Sequence, residues 1–250
     1  MSALATPVPD LVPLFRFDPD PAVESAFRAA FDGVLASHRY ILGEQVTAFE
    51  AAFARYCGVP ECVGVANGTD ALEIALRALG VAAGDTVLLA ANAGFYGSTA
   101  VHRIGAVPRY IDVTPDTLTL DPERLRMALA DAPAKAVIAT HLYGQLAAIE
   151  TIVDHCRNAQ VPLVEDCAQA HGAERGGIRA GAFGDAACFS FYPTKNLGAY
   201  GDGGAILTAS QAVAERLRML RHGGQRSRYV HEMVGLNSRL DEMQAAILSV

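Results

Sequence analysis

Short apolar blocks recur along this chain, and most are followed by a stretch with helical spacing. ECVGVA (61–66), DTVLLAA (85–91), VPRYIDV (107–113), KAVIATH (135–141), VPLVEDC (161–167), AACFSFY (186–192) and GAILTA (204–209) read as strands. Helical patterns lie near 69–79, 96–104, 121–131 and 146–160, and two more, at 20–37 and 44–57, precede the first strand. Several of the strand blocks are nearly continuous in apolar residues, as in strands covered on both faces. Alternating β and α units therefore predict an α/β fold: a mostly parallel sheet sandwiched by helices. Residues 1–20 are proline-rich and predict an extended segment, leaving 21–250 as one large domain. LDEMQAAILSV (240–250) keeps helical spacing through Leu240, Met243, Ile247 and Leu248, and no glycine or proline stops it. The expectation is a helix cut short, with a C-terminal part absent. HGAERGGIRAGAFGD (171–185) predicts an exposed loop.

Composition narrows the classes. Of 250 residues, 51% are hydrophobic and 19% charged, which is the balance of a globular domain and not of a disordered chain. A net charge of −7 disfavours a general nucleic-acid or anionic-membrane surface. The basic stretch 216–228 (RLRMLRHGGQRSR) is local, and reads as a solvated face or a contact for a small anion. No basic segment followed by an apolar core opens the chain, and no apolar run is long enough to cross a bilayer. The five cysteines are odd in number and form no CxxC pair, which fits reduced core thiols in a cytoplasmic protein and argues against a metal site.

Candidate chemistry starts from a scarcity. Among the 20 lysines and arginines, only Lys135 and Lys195 are lysine. Lys195 sits in SFYPTKNLGAYGDGG (190–204), between an aromatic run and a cluster of glycines. A lysine can release its proton and act as an amine nucleophile, whereas arginine cannot. The glycines match neither a P-loop nor a dinucleotide fingerprint, and read as a tight turn beside Lys195. Three further features fall at strand ends, where open α/β sheets bind ligands. NGTD (67–70) opens a helix, and Gly68 and Thr69 there suit either a helix cap or a phosphate. Asp166 ends an apolar strand, as a cap or as a charge aimed at a ligand. Ser190 lies five residues before Lys195, as a buried serine or a phosphate ligand. His141 and His171 lie near strand ends, where they would line a site or serve structure. A lysine amine, a strand-end aspartate and a phosphate-type helix start with a serine form the constellation of a pyridoxal-phosphate site. There the lysine condenses with the cofactor aldehyde, and the aspartate keeps the pyridine nitrogen protonated so that the ring acts as an electron sink.

NGTDALEIALRALG (67–80), HLYGQ (141–145), VEDCAQAHGA (164–173), GDAACFSFYPTKNLGAYGDGGAILT (184–208) and RHGGQRSRYVHEMVGLNSRLDEMQAAIL (221–248) make the likeness specific. Over residues 40–250 the chain resembles the DegT/DnrJ/EryC1/StrS family of sugar aminotransferases, a branch of fold type I. The resemblance implies a fold type I large domain with pyridoxal 5'-phosphate as cofactor. It implies that Lys195 carries the cofactor and moves protons, that Asp166 pairs with the pyridine nitrogen, and that Gly68, Thr69 and Ser190 bind the phosphate. It further implies that Gln169 lies near the cofactor's O3′ and that an aromatic from ANAGFYGSTA (91–100) stacks on the ring. Tyr96 takes that place, with Phe95 as the alternative. Asn237 would reach the phosphate of a neighbouring subunit, implying a homodimer with shared active sites. The implied reaction moves an amino group from glutamate or glutamine to a keto group of a nucleotide-activated sugar. Related chemistry on a keto-cyclitol or an amino-aromatic antibiotic precursor, and a non-catalytic regulatory protein, are the alternatives. The resemblance implies a longer protein with a small C-terminal domain, which is expected to be absent from the 250 residues here.

Overall fold

A computed structural model gives the structure of residues 20–250. The expected extended segment lies, apart from Asp20, outside the described residues. The strands are β1 (Glu61–Val65), β2 (Thr86–Ala90), β3 (Val107–Ile111), β4 (Ala136–Thr140), β5 (Leu163–Asp166), β6 (Glu174–Arg175), β7 (Ile178–Arg179), β8 (Ala186–Ser190), β9 (Gly204–Thr208), β10 (Gln225–Ser227) and β11 (Val230–His231). The helices are α1 (Pro21–Ser37), α2 (Glu44–Cys57), α3 (Gly68–Ala78), α4 (Tyr96–Ile104), α5 (Pro122–Asp131), α6 (Ile149–Ala159), α7 (Gln211–Arg221) and α8 (Glu242–Leu248).

Seven strands form one sheet in the order β1-β9-β8-β5-β4-β2-β3. The run from β8 to β3 is parallel, while β9 runs antiparallel to both β8 and β1. All seven apolar blocks of the sequence are strands, and the sheet is mixed and mostly parallel as expected. Side chains alternate across each strand. Leu163, Ala187, Phe189 and Phe191 join one core with Val46, Phe49 and Phe53 of α2, Leu125 of α5, Ile149 of α6 and Leu248 of α8. Val164, Ala186 and Cys188 join the other core with Leu72 and Ile74 of α3, Ala100 of α4 and Leu217 of α7. The same alternation turns Asp166 and Ser190 towards the α3 side. On the opposite side, Phe49 and Phe53 meet Phe189 and Phe191 edge-on at centroid distances of 5.0–5.4 Å.

Three features differ from expectation. Helix α7 was hidden because arginines interrupt its apolar stripe of Val213, Ala214, Leu217 and Leu220. Its last residue, Arg221, belongs to the basic stretch expected to be solvated, yet it is buried. It donates to Glu50 Oε1 at 2.5 Å and to the Gly64 carbonyl at 2.8 Å. The loop expected at 171–185 contains the β6–β7 hairpin, pinned where Arg175 donates to the carbonyls of Leu146 and Ala147, both at 2.9 Å.

Helix α2 starts at Gly43, which has no side chain to cap it. The buried carboxylate of Glu242 does so from α8, accepting from the N–H groups of Gly43 (2.9 Å), Val46 (2.8 Å) and Gln45 (3.0 Å). Negative charge at a helix N-terminus is stabilising, and a buried carboxylate bonded this way is costly to replace. Glu242→Gln turns an amide NH₂ towards backbone donors, and should cost about 1–3 kcal/mol in urea unfolding.

Candidate active site

The carboxyl ends of β1, β5 and β8 open on one cleft of about 270 Å³. Gly68, Thr69, Tyr96, Asp166, Ser190 and Lys195 all line it. The strand order is what joins them. Gly204, the first residue of β9, pairs with Val65 at the end of β1 and with Ser190 at the end of β8. The turn leading into α3 is thereby held against Ser190.

Helix α3 is capped by Asn67, whose Oδ1 accepts from the Asp70 N–H at 2.8 Å. The cap reading of NGTD is therefore correct, and it leaves the N–H groups of Gly68 and Thr69 without an acceptor inside the helix. A Cβ on Gly68 would lie 2.8 Å from Ser190 Cβ, so only glycine allows this approach. Two backbone donors, the Thr69 hydroxyl and the Ser190 hydroxyl border one space at the positive end of the α3 dipole, which is a setting for an anionic group.

Asp166 is half-buried, and its side chain faces the cleft. Its oxygens accept from Thr140 Oγ1 at 3.4 Å and from the Ala168 N–H at 3.2 Å. Burial pushes its carboxyl above the ordinary range, against the opposing pull of the Ala168 N–H and of Lys195. A bound N–H cation would pair this carboxylate and offset the cost of its burial.

Lys195 lies on the connection from β8 to β9. The Phe191 N–H donates to the Gly203 carbonyl and the Ala199 N–H to the Phe191 carbonyl, both at 2.8 Å, closing that connection into a compact loop. Within it the Lys195 N–H donates to Tyr192 O at 2.8 Å. A Cβ on Gly198 would come within 2.6 Å of the Pro193 carbonyl oxygen, so the glycine after the lysine serves the tight turn the sequence suggests. Tyr96, the first residue of α4, reaches the cleft. Phe95 stacks on Tyr96 with centroids 4.6 Å apart and is itself 68% exposed.

Two expected residues lie outside this cleft. Gln169 lines an adjoining one with Tyr143, Thr194, Lys195 and Asn196. Its Oε1 accepts from the Tyr143 N–H at 3.0 Å, holding that non-glycine residue at φ 59°. Such a left-handed conformation persists only where surroundings enforce it. Asn237 is exposed and pairs as an isolated bridge with His222. The structure does not bring it to this chain's own cleft.

The histidines do not line the cleft either. His141 is fully buried beneath it. The Ala147 N–H donates to His141 Nδ1 (3.1 Å), so Nε2 carries the proton and faces Glu165 Oε2 at 2.9 Å. Glu165 also accepts from Gly181 (3.0 Å), Phe183 (2.8 Å) and Gly184 (2.8 Å). Burial opposes its ionisation, but the contact with His141 and the Gly181 and Gly184 N–H groups outweigh burial and hold its carboxyl below the ordinary range. Cys167 completes a cluster of three metal-type donors here, yet burial pushes its thiol well above normal and the other two are already engaged. The cluster is a packing knot under the site. His171 packs against Phe189 and Phe191, and burial holds it down to about 4, so it is neutral at pH 7. The sequence carried no signal for the His141–Glu165 pair, because adjacent Glu165 and Asp166 differ only in the face they take.

A family model, the DegT/DnrJ/EryC1/StrS aminotransferase family, matches residues 21–250. The chain is 46% identical over 222 residues to the dTDP-3-amino-3,4,6-trideoxy-alpha-D-glucose transaminase of Streptomyces venezuelae, covering 89% of this chain and 58% of that protein. It is 45% identical over 219 residues to a "pleiotropic regulatory protein" of Geobacillus stearothermophilus, covering 88% and 59%. Among solved structures, S. venezuelae DesV in complex with a ketimine intermediate matches with a TM-score of 0.88 and 45% identity, over 91% of this chain and 61% of that one. The chain thus spans about three-fifths of the length of these relatives. With a family model matching from Pro21 to Val250, the chain belongs to the DegT/DnrJ/EryC1/StrS aminotransferase family.

Proposed function

We propose that this chain binds pyridoxal 5'-phosphate and serves an aminotransferase that moves an amino group from glutamate or glutamine to a keto group of a nucleotide-activated sugar. The observation that carries the reading is the convergence of Lys195, Asp166 and the α3 N-terminus on one cleft. The residues fit the cofactor. The Gly68 and Thr69 N–H groups, with the Ser190 hydroxyl, offer donors to a phosphate. Asp166, half-buried and without an ion-pair partner among the described residues, suits a protonated pyridine nitrogen. Tyr96 offers an aromatic face, and Gln169 approaches from the adjoining cleft.

When bound, the cofactor supplies an electron sink that lets a Cα proton leave. Lys195 Nζ would hold the cofactor; once the incoming donor amine displaced it, the free amine would be placed to take the proton from Cα of the donor and to return one at the aminated sugar carbon. Asp166 would pair with the pyridine nitrogen and favour its protonated form. Asn237, exposed on its own subunit, reaches the phosphate of a neighbouring one in a homodimer with shared sites. The proposed location is the cytoplasm. Among the described residues no helix is long and apolar enough to cross a membrane.

The test is direct. The purified chain, given pyridoxal phosphate, should develop a visible absorption band, and borohydride should fix the cofactor on the peptide containing Lys195. Glutamate or glutamine should then convert the unreduced protein to the pyridoxamine phosphate form. Absence of the band would sink the cofactor reading. The name of the Geobacillus relative favours a second reading, a regulatory protein on the same fold. Cofactor binding with no conversion by either amino donor would support that one.

A further inference from the structure

The first turns of α3 carry an apparent contradiction. The helix start that would hold a phosphate is followed at once by two carboxylates, Asp70 and Glu73. Acidic residues in a first turn favour the helix, but they repel an anion placed at its N-terminus. Glu73 has a side chain only 3% exposed, and Asp70 one 13% exposed, so solvent screens neither well.

Both are met from α4 by one side chain. Arg103 Nη1 donates to Asp70 Oδ1 at 2.9 Å, and Arg103 Nε stands 2.8 Å from Glu73 Oε2. Arg77 donates to the other oxygen, Glu73 Oε1, at 2.9 Å. No second cation pairs with Asp70 among the described residues, so Arg103 is the counter-charge to this first-turn carboxylate.

We propose that Arg103 is a positioning residue for phosphate binding: by offsetting Asp70 and Glu73 it keeps the α3 N-terminus electropositive. It does not line the cleft. The inference rests on the cofactor reading above, and it assigns a role outside the cleft. It also links two parts of the site, because Arg103 ties α4, which bears Tyr96, to the turn that bears Gly68 and Thr69.

The test compares pyridoxal phosphate with pyridoxal, which lacks the phosphate, by absorption titration of the purified chain. Arg103→Gln should bind pyridoxal phosphate about tenfold more weakly while its affinity for pyridoxal stays within about twofold. Adding Asp70→Asn to Arg103→Gln should recover most of the loss, since it removes the uncompensated charge. Inorganic phosphate should compete less well against the single variant than against the unsubstituted chain. An equal loss for both ligands, or no recovery in the double variant, would show that Arg103 acts through packing and overturn the inference. So would unchanged binding of pyridoxal phosphate. Should Arg103→Gln fail to fold, Asp70→Asn alone decides: it should bind pyridoxal phosphate at least as tightly as the unsubstituted chain, and weaker binding refutes the charge argument. If the unsubstituted chain binds neither ligand, the cofactor reading itself falls, and this inference falls with it.

Discussion

Lys195→Arg should abolish the borohydride-trapped adduct entirely and lower the amino-transfer rate by about 10³-fold or more. The substitution keeps a long side chain and a positive charge at the same point of the β8–β9 connection. It removes the one property that matters, an amine able to lose its proton, because a guanidinium stays protonated in proteins. Lys195 is only partly buried, and its backbone bond to Tyr192 is unaffected by the side chain. Unfolding should therefore shift by no more than about 0.5 kcal/mol. Mass analysis of the reduced protein reads the adduct, and a denaturant titration reads the fold. A trapped adduct that survives in the variant would place the reactive amine elsewhere, with Lys135 the only other lysine.

The second large effect lies beneath the site. Glu165→Ala should cost about 3–5 kcal/mol, since it leaves His141 and three backbone N–H groups buried without an acceptor. For a domain of this size that corresponds to a fall in Tm of roughly 10 °C. Glu165→Gln keeps the shape but not the chemistry. Both carboxylate oxygens accept from donors, so one of those donors must face the amide NH₂. The pH dependence has a definite sign. The Glu165 carboxyl is held below its ordinary value of 4.5 in the folded protein. Its charge therefore stabilises the fold fully above about pH 4.5, and that contribution is lost as pH falls through the lower folded value. The unsubstituted chain should lose stability over that acid range more steeply than Glu165→Ala. Equal acid slopes would show that folding does not hold the Glu165 carboxyl below its ordinary value. Because Glu165 anchors the Gly181–Gly184 loop just before β8, the variant should also weaken cofactor binding.

The seven strands and most helices were legible in the chain because apolar blocks and 3.6-residue spacing are local properties. α7 escaped because arginines dilute its stripe, and one of them, Arg221, is buried against Glu50 and the Gly64 carbonyl, both distant in sequence. Lys195, Asp166, Gly68, Thr69 and Ser190 were legible through residue chemistry and strand-end position, then through motif likeness. That Tyr96 and not Phe95 lines the cleft was not legible, since neighbouring residues at a helix start differ by a rotation that only packing sets.

By itself, then, the sequence determined which segments become the strands of the main sheet and most of the helices, and singled out candidate side chains for the cleft, because both follow from residue type and short-range period. The tertiary structure decided how those parts meet. Strand pairing is a long-range choice: the insertion of β9 between β1 and β8 sets Gly204 against both Val65 and Ser190, and so joins the α3 start to the lysine loop. Partner choice among charges is equally non-local. Nothing near Glu242 in sequence shows that it caps α2. Nothing near Arg103 shows that it balances Asp70 and Glu73, because each pairing exists only once the helices are packed.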